Sequence, residues 1–146
     1  MNQEVKALLA DTDKVLIGIG ESFERKDEYF NTDAFRMFEK ENPLLAGFER
    51  LGYWKDNPEN KVVEAYNRLF ELVKEKDYFI VTTCTDDRIY ESRFAEDRIT
   101  APCGTWKYLQ CSDLCTDELL PVTEEMIHKK EMIYCPHCKK TFTNIH

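Results

Sequence analysis

Two short, continuous apolar runs lie among longer amphipathic stretches of the chain. The runs, at residues 14–20 and 78–83, have the length and β-branched composition of strands that are buried on both faces of a parallel sheet. A weaker strand is expected at residues 98–102. Apolar residues at helical spacing predict helices at residues 2–11, 34–41, 44–55 and 59–76. This alternation of helices and strands predicts an α/β protein with an open parallel sheet.

Composition and charge narrow the class of protein. The 146 residues suit a single domain, residues 1–146. Acidic residues outnumber basic ones 28 to 20, and the net charge of −8 argues against nucleic acid as a partner because phosphates repel an acidic chain. No apolar run reaches the length of a membrane span, about 20 residues, and the first residues lack the features of a signal peptide. We therefore expect a cytoplasmic protein that does not bind membranes.

The six cysteines point to a metal site, because disulfides are uncommon in the cytosol. Four of them form a Cys-x3-Cys pair and a Cys-x2-Cys pair with 19 residues between the pairs: Cys111, Cys115, Cys135 and Cys138. Two such pairs supply the tetrahedral thiolate shell of a structural zinc site. We predict one structural Zn²⁺ in a zinc-binding module at residues 109–140. Disulfides or buried free thiols are the alternatives, and His128 and His137 are alternative ligands.

Glycines or polar residues follow each of the three predicted strands. Gly18-Ile19-Gly20 ends the first strand, Cys84-Thr85-Asp86 follows the second, and Cys103-Gly104 follows the third. Ligands of open parallel sheets bind beyond the carboxyl ends of the strands. Glycine lets a phosphate approach the backbone closely, and Ser22 can add a hydroxyl group. The third glycine of the dinucleotide-binding fingerprint is missing, so simple turn closure is the alternative interpretation of the glycines.

These motifs resemble those of the sirtuins, the NAD-dependent protein deacylases. Gly18-Ile19-Gly20-Glu21-Ser22 is similar to the sirtuin Gly-Ala-Gly-x-Ser loop, and Thr82-Thr83-Cys84-Thr85-Asp86 to the Thr-Gln-Asn-x-Asp motif. Cys103-Gly104 stands where sirtuins have the His-Gly of the catalytic base, and the cysteine pairs follow in the sirtuin order. Residues 72–83 and 109–115 look closest to the class M sirtuins of bacteria, which are linked to macrodomain proteins. Protein ADP-ribosylation is attributed to that class.

The resemblance implies the first half of a sirtuin-like Rossmann domain, with a small helical insertion at residues 30–60 and the four-cysteine zinc module. It implies NAD as cofactor and NAD-dependent deacylation or ADP-ribosyl transfer as activity. The implied cofactor-binding residues are Gly18, Gly20, Ser22, Thr82 and Asp86. The implied catalytic positions are Cys103, Cys84 and Asp86.

Two of these positions depart from the sirtuin pattern. Cys84 replaces an asparagine, and a thiol lacks the paired donor and acceptor of an amide. Cys103 replaces the catalytic histidine, or the glutamine of class M, and a thiol acts as a base only as thiolate. The chain also ends before the later strands of a full sirtuin. We therefore expect a truncated, catalytically impaired protein that acts as a protein- or nucleotide-binding module. An active NAD-dependent transferase, or a thiol redox or second metal site at Cys84 and Cys103, are the alternatives.

The first predicted strand raises a question of pairing. In the sheet order of this fold the strand is central, so without the later strands one of its edges is free. Apolar free edges are avoided in folded proteins. We expect a homodimer, or another protein, to cover the edge. The alternative is the chain's own tail at residues 141–145, which alternates polar and apolar residues.

Overall fold

The computed structural model describes residues 1–145. Within this range every helix is too short or too polar to cross a membrane. The α/β prediction is confirmed, and the helices and strands are α1 (Gln3–Ala10), β1 (Lys14–Ile19), α2 (Asp33–Glu41), α3 (Pro43–Asp56), α4 (Lys61–Val73), β2 (Asp77–Thr82), β3 (Ile99–Thr100), β4 (Thr105–Cys111), β5 (Leu120–Pro121), α5 (Glu124–Lys129) and β6 (Phe142–Ile145).

The chain divides into two compact units. The first combines Met1–Glu24 with Asn60–Cys103, and the second combines Arg25–Glu59 with the chain from Gly104 onward. The carboxyl ends of β1, β2 and β3, where the sequence predicts a ligand site, therefore belong to the first unit. The helices α2 and α3 share the second unit with the four paired cysteines.

A parallel sheet in the order β1-β2-β3 forms the first unit together with α4. Successive side chains of a strand point to opposite faces of the sheet. Ile19 of β1 and Ile80 of β2 lie in one buried cluster with Tyr66 and Val73 of α4. The amphipathic stripe of α4 thus covers one face of the sheet, as its sequence pattern predicts.

The opposite face of β1 and β2 carries exposed apolar side chains. Leu16 is 74% exposed, and Phe79, its register partner on β2, is 40% exposed. β1 hydrogen-bonds to β2 on one side, and no strand within residues 1–145 pairs with its other side. The first strand is therefore the apolar edge that the sequence analysis anticipates.

The tail does not cover this edge. It forms β6, which pairs antiparallel with β4 in the second sheet, whose order is β5-β4-β6. Phe142 packs in the core of the second unit, and Asn144 Nδ2 donates to the Trp106 carbonyl at 2.9 Å. The alternative that residues 141–145 cap the first strand is wrong, because their buried positions are satisfied by the second sheet.

The core of the second unit joins α3 to this antiparallel sheet. Leu44 and Phe48 of α3 pack with Leu109 of β4 and Phe142 of β6. Pro43 occupies the first turn of α3, where its fixed φ and missing N–H are favourable. Two of the paired cysteines also belong to this buried cluster. The predicted metal site is therefore continuous with the core of the unit.

A close approach of α3 to β6 requires glycine at position 47. A Cβ atom at Gly47 would lie 2.0 Å from Asn144 Oδ1. Asn144 is buried, and its amide nitrogen donates to the Trp106 carbonyl, so moving the side chain away from α3 would break that hydrogen bond.

We predict that Gly47→Ala destabilises the protein by about 1–3 kcal/mol, the usual cost of overpacking. Chemical denaturation of the metal-loaded protein measures the loss. Gly52→Ala on the same helix is the matched control, because its Cβ would meet Ile127 Cγ2 at an ordinary 3.4 Å. This control should be at least as stable as the unmodified chain, with a gain of up to about 1 kcal/mol, since alanine favours helices. Equal stability of the two variants would contradict the close contact.

The homodimer stays a prediction, and the free edge of β1 gives its test. A symmetric dimer is the commonest way for a chain to cover such a surface. Light scattering should then report twice the 17.3 kDa of the chain. Leu16→Lys on the exposed face should shift the mass toward the monomer. A monomer mass for the unmodified protein at micromolar concentration would exclude the homodimer and leave a different protein as the expected partner.

Candidate functional site

The four paired cysteines form one cluster in the second unit. Their sulfur atoms all lie within 4.8 Å of one another. Cys111 Sγ is 3.5 Å from Cys115 Sγ and 3.4 Å from Cys138 Sγ, and Cys115 Sγ is 3.5 Å from Cys135 Sγ. Zinc–sulfur bonds of about 2.3 Å place tetrahedral sulfurs about 3.8 Å apart. Because disulfide sulfurs are only about 2.05 Å apart, the spacing fits a shared metal ion and not a disulfide.

Two tight turns hold the sulfurs in place. The first follows the end of β4, where Leu114 N donates to the Cys111 carbonyl at 3.0 Å. In the second, Lys139 N donates to the Cys135 carbonyl at 2.9 Å. Leu114 and Lys139 both adopt left-handed φ values, 51° and 65°. Ser112 N donates to the Thr141 carbonyl at 3.0 Å and so ties the two turns together.

Backbone amides favour the thiolate form of the first cysteine in each pair. The N–H groups of Cys115 and Asp113 help lower the pKa of Cys111 to about 6. The N–H of Cys138 likewise lowers the pKa of Cys135. Hydrogen bonds to the neighbouring sulfurs raise the pKa of Cys115. The cluster therefore favours the thiolate form at Cys111 and Cys135 and disfavours it at Cys115. A divalent cation would stabilise the thiolate form of all four cysteines.

The donor set fits zinc without histidine. Four thiolates fill a tetrahedral shell and leave no position for a water molecule, which is typical of structural sites. His137 is exposed, and its Nε2 lies 3.7 Å from Glu118 Oε2. Neither His128 nor His137 belongs to the metal-binding group found within residues 1–145. The four-cysteine cluster that the sequence predicts is thus the group that can hold zinc.

The second candidate site lies at the carboxyl ends of β1 and β2, and we call it the strand-end site. It comprises the predicted residues Gly18, Gly20, Ser22, Thr82, Cys84 and Asp86. Thr83 N donates to the Ile19 carbonyl at 3.0 Å, and the Cys84 thiol donates to the Gly20 carbonyl at 3.3 Å. These bonds bring the two loops together, as parallel pairing of β1 with β2 requires.

Cys84 is a buried, neutral thiol in this site. Burial raises its pKa, and the Asp86 carboxylate adds to the shift. Its backbone N–H donates to Thr82 Oγ1 at 3.1 Å, while its single S–H proton is directed at the Gly20 carbonyl. The side chain thus has no further proton to donate to a ligand, whereas an amide would have two.

The glycines of the strand-end site leave open space beside the backbone. A Cβ atom built at Gly18 or Gly20 would meet no atom within 4 Å. Gly20 has φ −97° and ψ 177°, an extended conformation open to any residue, and Gly18 also lacks a positive φ. Neither turn geometry nor packing within the described chain therefore requires these glycines. The open backbone fits a phosphate-bearing ligand, which needs close approach to backbone amides.

Asp86 and Ser22 contribute polar groups of different accessibility. The Asp86 side chain is buried, and its Oδ1 accepts the Arg88 N–H at 3.2 Å. Ser22 is exposed beside the glycines. Cys103 is exposed after β3 in the same unit, and both Cys84 and Cys103 are free thiols. The structure thus places a buried carboxylate and an exposed hydroxyl on the loops that the sequence selects.

Two polar groups near this site were missed by sequence reasoning. Glu24 Oε1 accepts both the Thr85 N–H at 3.0 Å and the Thr85 hydroxyl at 2.7 Å, which fixes the loop after β2. Tyr66 looks like a core residue of α4, yet its hydroxyl lies buried beside the strand-end site, next to Cys84. Burial, with the nearby Cys84 and Asp86, raises its pKa. No local sequence signal marks either residue, because the contacts join distant segments.

Comparisons with known proteins identify the fold. No protein-family profile and no curated protein matches the chain. The structure of Sir2Af2 bound to a myristoylated histone peptide matches with a TM-score of 0.62 and 20% identity, over 97% of this chain and 58% of that one. A structure from work on the mechanism and regulation of Sir2 enzymes matches with a TM-score of 0.63 and 17% identity, over 97% and 61%.

The chain therefore has a sirtuin-like fold. It spans less than two thirds of the length of these two solved Sir2 proteins.

We predict one zinc ion per chain, and Cys135→Ser should lose it. Structural zinc contributes about 10–16 kcal/mol to the folding of small zinc modules, which is as large as the whole stability of a typical domain. Elemental analysis gives the metal content, and circular dichroism follows the unfolding of the second unit. Cys103→Ser and His137→Ala are the controls and should retain one zinc. Well under one equivalent in freshly reduced, unmodified protein would contradict the site.

Proposed function

We propose that this chain is a zinc-stabilised, sirtuin-like module that binds a nucleotide such as NAD or ADP-ribose at the strand-end site without turning it over. The observation that carries the proposal is the open glycine backbone at Gly18 and Gly20. It lies at the carboxyl end of a parallel strand, where ligands of such sheets bind.

The binding part of the proposal follows from the polar groups of the site. A phosphate can approach the exposed backbone at Gly18 and Gly20 closely, and the exposed Ser22 hydroxyl follows these glycines in the chain. The loop after β2 is fixed by Glu24 and carries the buried carboxylate of Asp86. The site is thus pre-organised before a ligand arrives, which lowers the entropic cost of binding.

The catalytic part of the proposal follows from the two cysteines. A neutral Cys84 thiol, bonded to the Gly20 carbonyl, cannot position a ribose and a water molecule as an amide does. By its resemblance to sirtuins, Cys103 stands in place of the base, and a thiol accepts a proton only as thiolate. Loss of correctly placed donors and bases typically costs orders of magnitude in rate. We also propose a relation to the class M sirtuins. It rests on the similarity of residues 72–83 and 109–115 to that class.

Calorimetry with NAD and with ADP-ribose tests the binding. We predict a measurable affinity for at least one of them, and a loss of about tenfold or more, equivalent to about 1.4 kcal/mol, in Gly20→Val. The variant should fold normally, because position 20 has open space and an extended conformation. Gly52→Ala in the second unit is the control and should bind like the unmodified chain. No binding of either nucleotide at millimolar concentration, or an unchanged affinity in Gly20→Val, would overturn the proposal.

A transferase remains the second candidate, since one structural neighbour is a Sir2 protein bound to a myristoylated histone peptide. Acetylated and myristoylated histone peptides, each incubated with NAD and the zinc-loaded chain, provide the assay. We expect no deacylation and no transfer of labelled ADP-ribose. Turnover that persists in Gly52→Ala and disappears in Gly20→Val would replace the non-catalytic proposal with an enzymatic one.

The thiol hypothesis has a separate test. If Cys84 and Cys103 form a redox pair, mild oxidation of the zinc-loaded chain should remove both free thiols in a single step. Burial of Cys84 and exposure of Cys103 favour independent behaviour instead. Thiol titration before and after oxidation, with Cys103→Ser as the control, distinguishes the two results.

A further inference from the structure

An apolar groove lies on the surface of the second unit, beside the metal cluster. Its volume is about 590 Å³, within the range of about 300–1,000 Å³ that is usual for binding clefts. We call it the zinc-module groove. Its apolar lining is Leu119, Leu120, Ile133, Tyr134, Pro136 and Phe142.

The side chains at the mouth of this groove are not needed by the core. Leu119 is 52% exposed and Tyr134 is 59% exposed, whereas Phe142 at the base is buried in the core cluster. Exposed apolar patches with a polar rim mark interaction sites in folded proteins. Tyrosine in particular suits such sites, because it offers a large apolar surface and one polar end.

One charged residue, Glu118, lines the groove. Its side chain is mostly exposed, and its backbone N–H is held by Thr116 Oγ1 at 3.2 Å, so the loop that carries it is defined. Asp117 precedes it, and the chain as a whole carries a net charge of −8. A cationic group beside an apolar anchor therefore complements the groove, while an anionic group would be repelled.

The metal site holds one wall of the groove in position. Tyr134 and Pro136 flank the ligand Cys135, and Tyr134 forms a β-bridge with Thr141. Phe142 N donates to the Ile133 carbonyl at 2.9 Å, which closes the base. The groove is thus shaped before any partner binds, and one of its walls is the turn that carries Cys135.

We propose that the zinc-module groove docks a peptide segment of a partner protein, in which a large apolar side chain lies next to a lysine or arginine. The apolar side chain fills the groove between Leu119 and Tyr134, and the cation pairs with Glu118 in place of His137, whose exposed Nε2 lies 3.7 Å from Glu118 Oε2. This interaction is independent of the strand-end site, because all the lining residues belong to the second unit.

Selection from a library of short random peptides, displayed on phage and presented to the immobilised zinc-loaded chain, tests the chemistry. Enriched sequences should pair a leucine, methionine or aromatic residue with a nearby lysine or arginine. A synthetic copy of the most enriched peptide is then titrated by fluorescence polarisation. Glu118→Lys and Leu119→Ser should each weaken its binding by about tenfold or more. Exchange of the peptide's basic residue for glutamate should have the same effect.

Leu8→Ser is the matched control, because Leu8 is an exposed leucine on α1 of the first unit. It should leave peptide affinity unchanged. Chemical shifts of the ¹⁵N-labelled chain on peptide addition should change at residues 118–120 and 133–136. Enriched peptides without the apolar–basic pair, unchanged affinity in both groove variants, or shifts confined to other surfaces would each overturn the proposal. These measurements need no nucleotide, so their failure is separate from failure of the strand-end site.

Discussion

The close packing of four cysteine sulfurs is the constraint around which the second unit is built. The sulfurs lie within 4.8 Å of one another, and two of the cysteines are part of the buried core cluster. The hydrogen bonds between them raise the pKa of Cys115, and a bound cation stabilises the thiolate form of all four. The two cysteine turns and the β-bridge at Tyr134 surround this cluster, and the groove lies beside it.

In our proposal, one side chain of the strand-end site separates binding from chemistry. Parallel pairing of β1 with β2 brings Gly20 and Cys84 together, and the Cys84 thiol donates a hydrogen bond to the Gly20 carbonyl. What remains available to a ligand is open backbone, the Ser22 hydroxyl and the neighbourhood of a buried carboxylate. Such groups can hold a nucleotide, while the acid–base steps of a transfer reaction need a proton acceptor poised near neutral pH.

Similarity to Sir2 structures at 17% and 20% identity establishes a fold, and function has to be argued from the sites. The three surfaces that carry our proposals differ in chemistry. The edge of β1 is a bare backbone with Leu16 beside it, the strand-end site is polar, and the zinc-module groove is apolar with one acid. We therefore propose a different kind of partner for each surface, and each proposal can be tested without the others.

The sequence by itself determined the features that depend on local spacing. Apolar patterning predicted α1 to α4 and β1 to β3, and cysteine spacing predicted the four-sulfur cluster, because both follow from the geometry of one turn or one strand. It did not predict β4, β5 or α5. Only the tertiary structure decided that the tail pairs with β4 and not with β1, that Glu24 fixes the loop at Thr85, and that the Tyr66 hydroxyl is buried beside Cys84. These outcomes join residues far apart in the chain, and local patterns carry no information about which distant edge or polar group each one meets.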